Sequence, residues 1–167
     1  MQHELPSTLK VATIWMLVGL AVFLGVQAWQ REARASRFTA NDGVIEIRRA
    51  DDGHYHWPGE INGRRVVFLI DTGATGTAIS TALAAELGLP VEREVTSMTA
   101  NGPARGQEVR ADVKLQGGVL AERLRITALP GLGMQPLLGM NVLGQLRWQQ
   151  RDGVLRIEGG APGAPRS

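Results

Sequence analysis

One acidic residue of this sequence stands at the end of an apolar run and directly before a turn. Asp71 follows a run at residues 65–70 (RVVFLI) that is rich in β-branched and aromatic residues, and it precedes Thr72 and Gly73. Such a run favours a buried strand, beside which a carboxylate is costly unless it is paired or hydrogen-bonded. A carboxylate kept in that place can act as a general acid or base if a second carboxylate shares its proton. The structural alternative is an aspartate that caps its own turn.

A second apolar segment decides between these interpretations. Residues 136–144 (PLLGMNVLG) place a glycine after two leucines and continue as a short apolar run. Together with residues 68–75 (FLIDTGAT), this segment resembles the two crossing segments of retropepsin-like aspartic proteases, in particular bacterial single-domain members with an N-terminal membrane span. Residues 98–106 match less specifically and lie where this family has its flap, a hairpin that closes over substrate. The resemblance covers residues 44–158.

The resemblance implies a role for individual residues. Asp71, Thr72 and Gly73 would be catalytic, with the carboxylate activating a water molecule that hydrolyses a peptide bond. Leu138 and Gly139 would support the catalytic loop from below. Substrate contacts would come from the residues after the triplet and from the flap tip, namely Ala74, Thr75, Ala100, Asn101 and Gly102.

The chain contains a single Asp-Thr-Gly triplet, whereas the chemistry needs two carboxylates about 3 Å apart that share one proton. A two-fold homodimer would supply the second acid as Asp71 of another copy. The sequence therefore predicts a homodimeric aspartic endopeptidase that acts on proteins or peptides without metal or cofactor. The alternative is a catalytically silent, membrane-tethered β module that uses the same fold for protein binding or scaffolding. The intact Asp-Thr-Gly triplet argues against that alternative.

The sequence around these residues predicts short strands separated by turn residues. The pairs Asn-Gly at 62–63 and Asp-Gly at 152–153 are hairpin signals, and Ser80 or Thr81 is suited to cap a short helix. The predicted fold is all-β: a retropepsin-like closed β-barrel, one half of an acid protease, with one or two short helices and a single transmembrane helix before it. Strands are predicted at residues 44–47, 65–70, 95–99, 108–115, 120–129, 146–150 and 154–157.

The N-terminal part contains an uncharged stretch between Lys10 and Arg31. Its length is that of a helix crossing a bilayer, which takes about 20 residues. A cleaved signal peptide is the other interpretation. The predicted organisation is an N-terminal flank at 1–10, a transmembrane anchor at 11–30, a linker at 31–43, the protease domain at 44–158 and a disordered tail at 159–167.

The location of the domain is predicted from two opposing signals. Arginines follow the apolar stretch, which by the positive-inside rule favours a cytoplasmic domain. The family resemblance implies a bacterial inner-membrane protein whose catalytic domain faces the periplasm, and long translocated domains can override flanking charge. We therefore predict a periplasmic catalytic domain.

Composition excludes several other functions. Lys and Arg number 18 and Asp and Glu 16, so the formal net charge of +2 does not favour a nucleic-acid partner. Cysteine is absent, which excludes disulfides, thiol catalysis and cysteine zinc sites.

His54 and His56 would share one face of a strand and could chelate a metal. A solvent-exposed edge with Tyr55 and Trp57 packed behind it is the preferred interpretation of this segment.

Overall fold

The computed structural model describes residues 7–34, 38–41, 43–99 and 102–158. The chain divides into two compact units, Met1–Ala35 and Ser36–Ser167. The first contains helix α1 (Ser7–Arg34). Within its described residues, the second contains helices α2 (Thr81–Glu86) and α3 (Met140–Leu143) and the strands β1 (Phe38–Asn41), β2 (Val44–Arg48), β3 (His56–Ile61), β4 (Arg64–Ile70), β5 (Thr77–Ser80), β6 (Val91–Thr99), β7 (Gly102–Leu115), β8 (Val119–Leu129), β9 (Leu137–Leu138), β10 (Arg147–Arg151) and β11 (Val154–Glu158).

The stretch predicted as a transmembrane anchor, residues 11–30, is part of α1. Of the helices within the described residues, none combines the length and the apolar character that crossing a membrane requires.

The second unit is built around a closed barrel. The larger sheet has the strand order β3-β4-β9-β5-β8-β7-β6, and β3 also pairs with β7. This additional pairing closes six strands into a barrel and leaves β6 attached to β7 outside the ring. The all-β class and the closed barrel predicted from the sequence are therefore confirmed. Closure leaves fewer strand edges exposed, which lowers the risk of edge-to-edge aggregation.

The barrel interior is filled by alternate side chains of its long strands. In β7, for example, Val109, Ala111, Val113 and Leu115 are buried while Asp112 and Lys114 between them are exposed. A period of two is what a strand with one face on a core requires. The largest fully buried side chains of the unit include Trp57, Phe68, Ile61, Ile79, Ile126 and Leu138.

A smaller antiparallel sheet has the order β1-β2-β11-β10. It buries Ile45 and Ile47 of β2 against Leu155 and Ile157 of β11, which belong to the same core cluster. Strand β1 lies within the stretch predicted as a linker, where its backbone pairs with β2. Residues 1–6 of the flank predicted at 1–10, and the tail predicted at 159–167, lie outside the described residues.

Local signals explain where several elements begin and end. Asn62 and Gly63 adopt positive φ angles of 47° and 82°, the conformation that a two-residue hairpin between β3 and β4 needs. The Ser80 side chain accepts a hydrogen bond from the Leu83 backbone N–H at 3.1 Å and caps α2. The chain leaves α2 through Gly88 at φ 61°.

Glu108 is a buried carboxylate on β7 that joins three strands. It accepts a hydrogen bond from Arg93 of β6 at 2.8 Å and lies 3.4 Å from the guanidinium of Arg125 on β8. The Arg93 hydrogen bond, with the nearby charge of Arg125, holds the pKa of Glu108 below its ordinary 4.5 even though burial acts in the opposite direction. The hydrogen bond to Glu108 in turn raises the pKa of Arg93.

This lowered pKa predicts how the stability of the sheet changes with pH. A carboxyl group with a depressed pKa in the folded state stabilises the protein above its unfolded pKa of about 4.5, and this contribution is lost as the pH falls through the folded value. Glu108→Gln is therefore expected to be less stable than the parent at neutral pH and to approach it in acid. Urea unfolding measured from pH 7 to pH 3 checks this. Glu94→Gln, on the exposed face of β6, is the matched control, and an equal pH dependence in both variants would contradict the prediction.

Candidate active site

The structure places Asp71 at the point where β4 ends and a tight loop begins. Asp71 is half-buried, and Thr72 and Gly73 after it are exposed. The Gly73 backbone N–H donates to Asp71 Oδ1 at 2.9 Å. The Ala74 backbone N–H donates to the Asp71 carbonyl at 3.3 Å, which closes the turn. The carboxylate is thus oriented by its own loop, and its other oxygen, Oδ2, accepts no hydrogen bond from the described residues.

The second segment found in the sequence lies directly beside this loop. Strand β9 pairs in parallel with the end of β4, so that Leu137 is opposite Leu69 and Leu138 opposite Ile70. The Asp71 backbone N–H donates to the Leu138 carbonyl at 3.0 Å. The structure therefore brings the Asp-Thr-Gly and Leu-Leu-Gly segments together.

Gly139 is buried beneath the loop, where space for a side chain is lacking. A Cβ at this position would lie against the Gly76 carbonyl, well inside van der Waals contact, and 2.9 Å from the Ala74 carbonyl oxygen. The backbone of residues 74–76 passes directly over this glycine. Because the two backbones approach each other this closely, a residue without a Cβ is required at this position.

Asn141, which was not predicted from the sequence as a site residue, holds the end of the loop after Asp71 through hydrogen bonds. Its Oδ1 accepts hydrogen bonds from the backbone N–H and the hydroxyl of Thr77 at 2.9 and 2.8 Å. Its Nδ2 donates to the Arg125 carbonyl of β8 at 3.0 Å, and its own backbone N–H donates to the Thr75 carbonyl at 3.0 Å. One side chain thus joins the end of the loop that follows Asp71, β8 and α3. The signal available in the sequence was a polar residue two positions after the buried glycine.

We expect Asn141→Ala to lower the free energy of unfolding by about 2 kcal/mol, because it leaves the Thr77 and Arg125 backbone groups without their partner. Equilibrium urea unfolding measures the change. Thr77→Val is the matched variant. It keeps the backbone bond to Asn141 but removes the hydroxyl, which also accepts from the Gly139 backbone N–H at 3.4 Å, and it is expected to cost less than Asn141→Ala. Equal losses would show that the Asn141 bonds to the Thr77 backbone and to Arg125 contribute no more than the Gly139 bond to the hydroxyl.

The other predicted site residues are placed as follows. Ala74 is half-buried and Thr75 is exposed in the loop after Gly73. Gly102 begins β7 at φ 100°, and its carbonyl accepts from the Thr99 hydroxyl at 2.7 Å. Strands β6 and β7 pair up to Thr99 and Gly102, so the predicted flap is a hairpin. Ala100 and Asn101, predicted to form its tip, lie outside the described residues.

The histidine segment differs from its prediction as a solvent-exposed edge. Tyr55 and Trp57 are buried as expected, but His56 is buried too, with 4% of its surface exposed. Its imidazole satisfies its hydrogen bonds inside the protein, with Asp52 and Gln135. His54 is exposed. Among the described residues, no three His, Asp or Glu side chains are grouped so as to hold a metal ion.

A cavity of about 800 Å³ lies on another part of the barrel and does not mark this site. It is lined by β3, β4, the end of β7 and the β7–β8 turn, including Pro58, Arg65 and Lys114. Asp71 is not part of its lining. The candidate site is identified by its backbone geometry and not by the depth of a pocket.

Comparison with known proteins identifies the family whose sequence model matches this chain. The family model described as "gag-polyprotein putative aspartyl protease" matches residues 57–145, more than half of the chain, and includes both crossing segments. Among solved structures, a retropepsin-like aspartic protease from Rickettsia conorii has the same fold. That match has a TM-score of 0.55 and 22% identity and covers 72% of this chain and 94% of the other.

Two relatives are similar in sequence. An uncharacterized protein encoded in the 5′ region of cobV in Sinorhizobium sp is 29% identical over 176 aligned positions, covering 93% of this chain and 76% of the relative. An uncharacterized protein of Rickettsia prowazekii (strain Madrid E) is 29% identical over 127 positions, covering 72% of this chain. This chain spans about half (53%) of the rickettsial relative.

The family match contains both the loop that carries Asp71 and the Leu-Leu-Gly segment that hydrogen-bonds to it. The barrel around them is the fold of the solved rickettsial protease. The chain belongs to the gag-polyprotein aspartyl protease family, a group of retropepsin-like aspartic proteases.

Proposed function

We propose that this protein is an endopeptidase that hydrolyses peptide bonds with a water molecule activated by two Asp71 carboxylates, one from each copy of a homodimer. The observation that carries the proposal is the position of Asp71. Its backbone is hydrogen-bonded to Leu138 within the fold, while the adjacent Thr72 and Gly73 are exposed on the surface of a single chain. A fixed acid next to an exposed loop is what a shared, two-fold site requires.

The reaction follows from the chemistry of paired carboxylates. Two carboxyl groups about 3 Å apart cannot both ionise, so the pair holds one proton. The ionised member accepts a proton from water as the oxygen attacks the substrate carbonyl, and the protonated member donates to the carbonyl oxygen. The resulting tetrahedral species collapses when the leaving amine takes up a proton, and the peptide C–N bond breaks.

The loop geometry supports these acid and base roles of the two carboxyl groups. The Gly73 N–H bond to Asp71 Oδ1 fixes the orientation of the carboxylate and leaves Oδ2 for the partner acid or for water. Thr72, which is exposed, is proposed to hydrogen-bond across the two-fold axis. The β6–β7 hairpin is proposed to close over substrate and exclude water, as lids and flaps do in other enzymes.

A mixing experiment with the full chain tests both parts of the proposal. Cleavage of an unstructured protein by the parent, scanned from acid to neutral pH, tests the peptidase activity. Addition of a fourfold excess of Asp71→Asn chain should then reduce the activity per parent chain to about one fifth, because most parent chains pair with an inactive copy. Unchanged activity would overturn the shared dyad. A folded dimer that cleaves nothing would overturn the peptidase proposal in favour of a binding module.

A further inference from the structure

A chain of three polar side chains lies next to the segments that hold the catalytic loop. His56 Nε2 is 2.7 Å from Asp52 Oδ2, and His56 Nδ1 is 2.7 Å from Gln135 Nε2. The His56 side chain is 5% exposed, whereas that of Asp52 is 40% exposed. A buried imidazole is thus hydrogen-bonded on one side to a surface turn and on the other to the segment that leads into β9.

The partners fix which nitrogen of His56 carries the hydrogen. The amide Nε2 of Gln135 can only donate, so Nδ1 must be the nitrogen that accepts. Nε2 then carries the hydrogen and donates it to Asp52. Burial would raise the pKa of Asp52, but the hydrogen bond from the His54 backbone N–H at 2.9 Å and the contact with His56 hold it below its ordinary 3.8. Asp52 is therefore the ionised acceptor that this tautomer needs.

Two members of this chain, His56 and Gln135, lie next to the backbone that positions Asp71. His56 is opposite Leu69 in the β3–β4 register, and the Ile70 backbone N–H donates to the Tyr55 carbonyl at 2.9 Å. Gln135 directly precedes Pro136, whose carbonyl accepts from the Leu69 backbone N–H at 2.8 Å. The imidazole therefore links β3, which pairs with the strand before Asp71, to the segment that leads into β9, which pairs with the same strand.

We propose that His56 is a positioning residue for the catalytic loop, acting through its Nδ1 contact with Gln135. By holding Gln135, it fixes the start of β9 against β4 and so the Leu138 carbonyl to which the Asp71 backbone donates. The role in catalysis rests on the proposed function. The role in holding β9 does not, and it can be measured without any substrate.

Two substitutions of His56 separate its two contacts. His56→Asn places an amide oxygen near the position of Nδ1 and keeps an acceptor for Gln135, but it loses the donor to Asp52. His56→Gln reaches the position of Nε2 and keeps the donor to Asp52, but it loses the acceptor for Gln135. If His56 served only to pair with Asp52, the Gln variant would be the better replacement. Our proposal expects the opposite order.

The first measurement is backbone amide hydrogen exchange in the full-length parent and in both variants. His56→Gln and Gln135→Leu are expected to accelerate exchange at Leu69 and Asp71 by about tenfold or more, and His56→Asn much less. The amides of β11, in the other sheet, report on general destabilisation. Equal acceleration at β11, or equal effects of the Asn and Gln variants, would overturn the proposal.

The second measurement is turnover of a peptide substrate. His56→Gln is expected to lower kcat between about tenfold and a hundredfold with KM little changed, because a small misplacement of the reacting group costs this much. His56→Asn should retain most of the turnover. Equal kcat values in the two variants would overturn the catalytic role. If the parent itself cleaves nothing, the proposed function fails and hydrogen exchange alone decides whether His56 holds β9.

Discussion

Asp71→Asn is expected to lower kcat/KM for peptide hydrolysis by about 10³-fold or more while leaving the fold intact. The amide cannot accept a proton from water, and general acid–base catalysis by such a group contributes between about 10² and 10⁴. The fold should persist because the side-chain oxygen of Asn can still accept the Gly73 backbone N–H, and the backbone bonds of residue 71 to Leu138 and Ala74 are unchanged. Peptide cleavage and urea unfolding of the same preparation measure the two effects.

The matched control for this prediction is Asp51→Asn, since Asp51 is an exposed aspartate in the turn between β2 and β3. It makes the same chemical change at a distance in sequence from the Asp-Thr-Gly triplet and should leave cleavage within about twofold of the parent. Parent-level cleavage by Asp71→Asn would contradict the assignment of the carboxylate. Loss of activity together with unfolding would contradict the claim that residue 71 is held mainly through its backbone.

The long strands and the crossing of two segments could be predicted from the sequence because each has a strong local signal. Strand β4 ends in a continuous apolar run, residues 66–70, and β7 alternates buried and exposed residues over much of its length. The Asn-Gly pair at 62–63 fixes a hairpin by its positive φ angles. The glycine of the Leu-Leu-Gly segment is demanded by backbone contact, which makes it a specific marker of the fold.

The elements and contacts that could not be predicted from the sequence lack such local signals. Strands β5 and β9 are four and two residues long, too short to show a period, and their pairing depends on partners distant in sequence. Strand β3 contains Pro58 and Gly59, which locally argue against a strand. The hydrogen bonds of Asn141 to Thr77 and of His56 to Gln135 join residues 64 and 79 positions apart. Such contacts are set by the tertiary fold and leave no local pattern.

Gly139→Ala is expected to have the largest effect on stability, lowering the free energy of unfolding by about 3 kcal/mol or more. The new methyl group would occupy space already filled by the Gly76 carbonyl and would lie 2.9 Å from the Ala74 carbonyl oxygen. Backbone atoms cannot rotate away as a flexible side chain can. Relief therefore requires α3 and the loop of residues 74–76 to separate, which weakens the bond from the Met140 backbone N–H to the Ala74 carbonyl at 2.8 Å.

Gly133→Ala provides the control, because a Cβ there meets nothing within 4 Å. The same substitution at this exposed position should leave stability unchanged or raise it by up to about 1 kcal/mol, since alanine restricts the unfolded chain. Urea unfolding of both variants gives the comparison. Equal stabilities would show that the loop over Gly139 can move away without cost. Because that loop leads back to Asp71, a loop that yields so easily could not hold the carboxylate in one place, and the fixed geometry on which a shared dyad depends would have to come from the partner copy.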